Sequence, residues 1–266
     1  MSLRELTKTV VRSYQANGLP IFAGAIAFRV VLAIVPFLLF LLALLGFFDL
    51  EEAWRKDVAP DIRSNASDTA FKLVDDTVTQ VLRQKQVWWL TIGLGLTLWE
   101  LSAAGRMTMR ALDRVYGYYR RRSFFELLPK SLALGATMGL CGAIAIAVVR
   151  FGPLLIGDGG IVLSVISFLV RWVIAAVVLG FAVGLTVRFG AATRQPVPWA
   201  SFGTGLVLLA WILTSIGFGL YVTYVASYTS VFGHLASVFV LLVYVWLLAN
   251  AFLVGIEVDE AVRERT

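Results

Sequence analysis

Six stretches of this chain run apolar for long enough to cross a membrane: residues 21–48, 87–105, 131–156, 161–187, 199–227 and 235–256. A hydrocarbon core of about 30 Å takes roughly 20 residues of helix. Inside lipid every backbone N–H and C=O must find its partner within the chain, and runs this long and continuous satisfy that as helices. Composition agrees, with 59% hydrophobic residues, 15% charged and a mean hydropathy of +0.83. Soluble domains hold about half apolar and about a quarter charged residues. The expectation is an all-α, polytopic membrane protein with six transmembrane helices and extra amphipathic helices.

Prolines punctuate the boundaries. Pro20, Pro129, Pro196 and Pro198 stand just before the first, third and fifth runs, where a missing N–H costs little. Pro36 lies inside the first run and is expected to kink it, a candidate hinge. That run is too long for a signal-peptide core and lacks a short basic start, so no cleavable signal is expected. Cys141, the single cysteine, falls within the third run and forms neither a disulfide framework nor a thiol metal site.

Charge placement orients the chain. The segment 106–130 carries Arg106, Arg110, Arg114, Arg120, Arg121, Arg122 and Lys130 against only Asp113 and Glu126. The short loops after the third and fifth runs contain no Lys or Arg, so the positive-inside bias puts both termini in the cytoplasm. The expected organisation is a cytoplasmic interfacial helix over 1–20, a transmembrane domain over 21–256 and a cytoplasmic tail over 257–266. Within the domain, 49–86 forms an external loop and 106–130 a basic cytoplasmic segment. The net charge of +6 and pI near 9.7 follow from this placement. Membrane lipids with anionic headgroups are therefore the expected partners, and nucleic acid is not.

Three segments pattern as helices that do not span. Leu3, Leu6, Val10 and Tyr14 recur at helical spacing opposite Arg4, Lys8 and Arg12, an interfacial pattern. In the external loop, Leu50, Ala53, Trp54 and Val58 give one amphipathic piece, and Phe71, Val74, Val78, Val81 and Leu82 another. After the second run, Leu112, Val115, Tyr116 and Tyr119 form an apolar stripe beside the arginines. Resting on lipid and capping the bundle both fit these patterns.

Four ionisable residues interrupt the apolar runs: Arg29, Glu100, Arg150 and Arg171. A charge near the bilayer centre costs about 2.5–3.5 kcal/mol on insertion scales, so such groups should face protein or a wet cavity. Their helical neighbours are small or hydroxylated: Ala25 and Ala33 for Arg29, Thr97 and Ala104 for Glu100, Gly139 and Ala143 for Arg150, and Ser164 and Ser167 for Arg171. Arg29 and Glu100 both fall roughly 9–12 Å deep from the cytoplasmic side, close enough in level to pair. Arg150 and Arg171 have no acid at their level except Asp158 at the mouth. Two readings follow: both arginines bind an anionic group of a substrate, or Arg150 snorkels to headgroups while Arg171 bonds helix carbonyls. Gly135 with Gly139, and Gly180 with Gly184, add small-residue spacing that suggests tight packing.

Other polar positions are candidates for a gate or hinge. His234 starts the sixth run on the outer side, and Asn250 and Glu257 share a face at its cytoplasmic end. Trp88, Trp89, Trp199 and Tyr228 fall at interfaces as anchors. There is no metal constellation, no nucleophile with a base and no phosphate loop. No enzyme, cofactor or metal site is therefore expected.

By these residues the chain resembles the YihY/BrkB family of six-span bacterial inner-membrane proteins, formerly labelled ribonuclease BN-like. "AIAFRVVLAIVPFLL" is similar to the family's Ala-Phe…Pro block, and "LWELSAAGRMTMRALDRVYG" to its Trp-containing helix with Arg and Tyr after it. The segment "YVTYVASYTSVFGHLASVFVLLVYVWLLANAFLVGIEVDEAV" is similar to the two-tyrosine, aromatic-Gly and Gly-x-Glu pattern. Arg29 stands where the family has an aromatic, Asp113 where it favours Asn, and Phe232 and His234 flank Gly233 where Tyr and Ser are usual. The resemblance implies six helices, a long outer loop and a bacterial cytoplasmic membrane. Family members carry ribonuclease-like, serum-resistance and transporter labels.

The function expected from the residues is transport or flipping of an anionic substrate, a phospholipid, lipid-linked precursor or small anion, past Arg29, Arg150 and Arg171. Glu100 would hold or release Arg29. Cation/proton antiport through Glu100 and a non-transporting envelope scaffold are the alternatives, and a homo-oligomer stays open. No internal repeat relates the two halves.

Overall fold

The structure, a computed structural model, describes residues 3–47, 56, 59–60, 63, 71–72, 75–76, 78–79, 87–119, 122–156, 160–192, 202–224 and 231–263. Among them are seven long helices: α1 Leu3–Ala16, α2 Leu19–Phe47, α3 Val87–Val115, α4 Phe124–Ile156, α5 Gly160–Gly190, α6 Phe202–Tyr224 and α7 Val231–Arg263. Five of them, α2, α4, α5, α6 and α7, are long and apolar enough to cross a membrane. The second predicted span is also helical, but it continues as α3 for 29 residues. Glu100, Arg106, Arg110, Asp113 and Arg114 hold its mean hydropathy below that of the other five.

Consecutive long helices pack side by side, and α7 returns to α2, so α2 to α7 close into a ring. The α2–α3 and α4–α5 pairs are the most extensive, and α5–α6 is the thinnest joint. Apolar side chains face outward along most of the ring. On α5, Val165, Phe168, Val173 and Val177 are all exposed, which suits lipid rather than water.

The ends of the ring differ. Where α1, the C-terminal parts of α3, α5 and α7 and the N-terminal parts of α2, α4 and α6 gather, the main core forms from Leu19, Leu112, Val183, Val187, Val207 and Leu253, among others. This is the basic end. The stripe after the second predicted span is no separate element: Leu112 and Val115 belong to α3 and are buried here, capping the bundle. The N-terminal helix behaves alike, with Val10 and Leu6 packed on Val258 and Ala261 of α7.

Local chemistry explains the breaks. Gly18 and Gly117 adopt φ of 66° and 68°, a region only glycine enters freely. Tyr118 N–H then reaches back to the Asp113 carbonyl at 2.7 Å and Gly117 N–H to Arg114 at 3.3 Å, the paired bonds that end a helix at glycine. Ser123 starts α4, its N–H donating to Glu126 Oε2 at 3.2 Å, half of a capping box. Pro129 therefore sits in the second turn of α4 rather than ahead of it, and α2 runs unbroken through Pro36.

The tightest helix crossings fall elsewhere than the small-residue spacing suggests. A Cβ on Gly139 would meet nothing within 4 Å, and one on Gly135 only ordinary contact with Leu101 at 3.5 Å. By contrast, a Cβ on Gly203 of α6 would overlap the Gly255 carbonyl of α7, and one on Gly93 of α3 would lie 2.8 Å from the Phe40 nitrogen of α2. Sequence spacing marks which residues are small, while the ring decides which of them face a neighbour. Of the segment expected to form an external loop, Ala59 and Val78 pack with Phe71 and Leu42; Leu50, Ala53, Trp54, Val58, Val74, Val81 and Leu82 lie outside the described residues.

Candidate functional site

The close α2–α3 crossing brings Arg29 and Glu100 together. Arg29 Nη1 donates to Glu100 Oε2 at 3.0 Å and to Oε1 at 3.3 Å. The two side chains keep 38% and 17% of their exposure, so the pair lines the helix seam without being sealed in it. Thr97 returns its hydroxyl to the Gly93 carbonyl at 2.6 Å, so that donor is spent within α3 rather than on Glu100.

One and a half turns further along α3, the buried Arg106 donates from Nη1 to Ser102 Oγ. Ser102 Oγ lies 2.8 Å from Ser131 Oγ on α4, and the guanidinium lies over Phe124 at 4.9 Å and Trp99 at 5.8 Å. Arg106 is within electrostatic reach of Arg29, Glu100 and Arg110. With Arg110 and Arg114 at successive i+4 positions, it forms a guanidinium ladder on one face of α3 from the Arg29–Glu100 pair to the basic end. Sequence reasoning counted these arginines only as topology markers; their four-residue spacing was the available signal.

Arg171 stands apart from that pair. Its Nε donates to the Ser167 carbonyl at 3.1 Å and its Nη1 to the Val149 carbonyl of α4 at 3.3 Å. No carboxylate pairs with it among the described residues. Arg150 and His234 occupy helical positions in α4 and α7, but their side chains lie outside the described residues, as do Asp158, Trp199 and Tyr228. Asn250 and Glu257 meet α1 and the turn after it: Tyr14 donates its hydroxyl to Asn250 Oδ1, and Asn17 Nδ2 to Glu257 Oε1 at 2.7 Å. Burial, then the nearby Glu257 charge, pushes the Tyr14 phenol up from its ordinary value.

At the basic end a second ion pair is largely buried. Arg122 Nε meets Asp113 Oδ2 at 2.9 Å and its Nη2 meets Oδ1 at 3.1 Å, with exposures of 8% and 9%. Arg122 Nη2 also donates to the Gly190 carbonyl at 2.7 Å, and Ala192 N–H donates to Asp113 Oδ1 at 2.9 Å. One carboxylate and one guanidinium thus join α3, the start of α4 and the end of α5. Burial raises the Asp113 carboxyl above its ordinary value, against the lowering pull of the Ala192 N–H and Arg122. Beside this clamp opens a cavity of about 430 Å³ lined by Arg110, Arg114, Arg122, Asp113, Tyr118 and Tyr119, with Phe22 and Leu127 on its apolar part. Among the described residues, no three or more His, Cys, Asp or Glu side chains gather as metal ligands.

Residues 10–266 match the family model described as virulence factor BrkB. The chain belongs to the BrkB family. A relative in Bacillus subtilis (strain 168), named as a ribonuclease-like protein YfkH, is 24% identical over 91% of this chain and 90% of its own length. UPF0761 membrane proteins of Chromohalobacter salexigens and Ralstonia nicotianae are each 29% identical, over 99% and 92% of this chain. The chain spans 64% and 56% of those two longer proteins. No solved structure matches. The family and the apolar helices together make this a membrane protein.

Proposed function

We propose that this BrkB-family protein is a six-span transporter or flippase of the bacterial cytoplasmic membrane, with both termini cytoplasmic and a substrate carrying an anionic group. The reading is of a non-enzymatic protein. The observation that carries it is the Arg29–Glu100 pair, an ion pair held within an apolar helix seam yet partly open. A guanidinium there is costly unless something anionic meets it, and a substrate phosphate or carboxylate competes with Glu100 for the same fork. The ladder of Arg106, Arg110 and Arg114 supports the anionic choice, because it carries positive charge along α3 from near the level of that pair to the basic end and disfavours cations.

One observation favours the scaffold alternative: Arg171 is held by the carbonyls of Ser167 and Val149, as a purely structural arginine would be. Purified protein in liposomes, assayed for transbilayer movement of a fluorescent anionic phospholipid against a zwitterionic one, separates the two. Transport predicts faster movement of the anionic lipid and loss of that acceleration in Arg29→Gln. Movement equal to that of empty liposomes for both lipids, and for small anions, leaves the scaffold reading standing. If Arg171→Ala keeps wild-type rates, that arginine is structural, whereas Arg29 remains a substrate contact.

A further inference from the structure

The cavity at the basic end has features that diffuse attraction to headgroups does not require. Three guanidinium groups and one carboxylate line it, which leaves two positive charges unbalanced. Arg110 and Arg114 reach it from successive turns of α3, and neither has a carboxylate partner among the described residues. Arg122 is fixed on one side by Asp113 and the Gly190 carbonyl. Its Nη1 is buried and makes no hydrogen bond among the described residues. A buried guanidinium nitrogen without an acceptor is costly and uncommon.

We propose that this cavity is a binding site for a phosphate group, gripped by Arg110, Arg114 and Arg122. Phosphate presents several charged acceptor oxygens in tetrahedral array, which matches several guanidinium forks better than chloride or a single carboxylate does. Tyr118 and Tyr119 add hydroxyl donors, and the glycine-ended α3 fixes Tyr118 by its bond to the Asp113 carbonyl. Because Asp113 already holds Arg122 in place, that guanidinium needs little further ordering when the anion arrives. Phe22 and Leu127 give the site an apolar side, and their neighbours Ile21 and Phe125 are exposed. A lipid headgroup with its first methylenes and a free phosphate both present this chemistry.

The site is tested by equilibrium binding, which needs no translocation, so its failure and that of the transport reading are separate results. In one arm, wild type is reconstituted in nanodiscs of phosphatidylcholine with and without phosphatidic acid. In the other, detergent-solubilised wild type is titrated with inorganic phosphate against sodium chloride at matched ionic strength. Thermal unfolding reports binding in both. The pair Arg110→Gln/Arg114→Gln should weaken binding roughly tenfold or more. The pair Arg4→Gln/Lys8→Gln, which removes two charges from α1 at the same end, should not. A response to phosphatidic acid alone identifies a headgroup site, and a response to inorganic phosphate as well identifies a site open to free phosphate. The proposal is overturned if neither arm exceeds its control, or if the α1 pair weakens binding as much as the cavity pair.

Discussion

Two arginine–carboxylate pairs in this molecule have the same chemistry and nearly the same distance, 3.0 Å for Arg29–Glu100 and 2.9 Å for Arg122–Asp113. Their surroundings make them different devices. Arg29 offers one terminal nitrogen to Glu100 and keeps over a third of its side chain exposed. Arg122 presents two nitrogens side by side, and the remaining lone pairs and donors on that edge are met by Ala192 and Gly190. A partly exposed single-nitrogen pair can trade partners at modest cost, while an enclosed bidentate one cannot. The seam pair therefore suits exchange with a passing anion, and the basic-end pair suits holding three helices in register.

The strongest way to break this contrast is Asp113→Ala. It leaves Arg122 charged, buried and unpaired, and removes the acceptor of the Ala192 N–H, so the expected loss is about 3–5 kcal/mol of stability. Thermal or denaturant unfolding in detergent measures it, and a loss no larger than that of a surface substitution would reduce the clamp to a bystander. Next in size is Gly203→Ala, whose new methyl group would run into the Gly255 carbonyl where α6 crosses α7. Overpacking of this kind costs about 1–3 kcal/mol. Gly139→Ala, with open space around it, provides the comparison and should be neutral or slightly stabilising. Equal losses at the two glycines would deny that α6 and α7 cross at Gly203 in closer contact than α4 makes at Gly139.

Which features were legible in the sequence follows from their range. Apolar runs report a helix's own solvent, so six long helices could be read directly, and Arg29 with Glu100 could be matched by counting 1.5 Å per residue from the same side. Depth gives a level but not an azimuth. That is why Gly135 and Gly139 looked like contact residues, whereas Gly93, Gly203 and Gly255 make the close crossings. The Asp113–Arg122 clamp was hidden for a related reason: Arg122 is one of three consecutive arginines, and only the turn at Gly117 and the end of α5 select it over its neighbours. Arg171 was legible as unpaired with acid, and one of its two readings had it bonding helix carbonyls; that these are the carbonyls of Ser167 and Val149 is something no sequence pattern marks.

Replacing Glu100 by Gln sharpens the contrast from the other side. The amide oxygen still accepts from Arg29, and the guanidinium is exposed enough to find other partners, so the expected loss is about 1 kcal/mol or less. Its effect should appear instead as altered anion movement in the liposome assay, with unfolding little changed. If Glu100→Gln destabilised the protein as much as Asp113→Ala, the seam pair would be a second structural clamp, and the exchange proposed for it would fail.

The smallest effect expected is a pH dependence at Asp113, and its sign separates burial from ion pairing. Burial raises this carboxyl above its ordinary value of 3.8, outweighing the Ala192 N–H and Arg122, which lower it. The folded protein therefore binds the proton more readily than the unfolded chain does. For a group shifted upward, the associated stability is fully present below the unfolded value and is lost as pH rises through the folded one. Asp113→Asn cannot titrate and keeps an oxygen for the Ala192 N–H. Measured side by side, wild type should gain on Asp113→Asn as pH falls from neutrality toward 3.8. A wild type that lost ground over that range would mean that attraction to Arg122 outweighs burial. The clamp would then owe its hold to charge, as the seam pair does, and the difference between the two pairs would be one of degree.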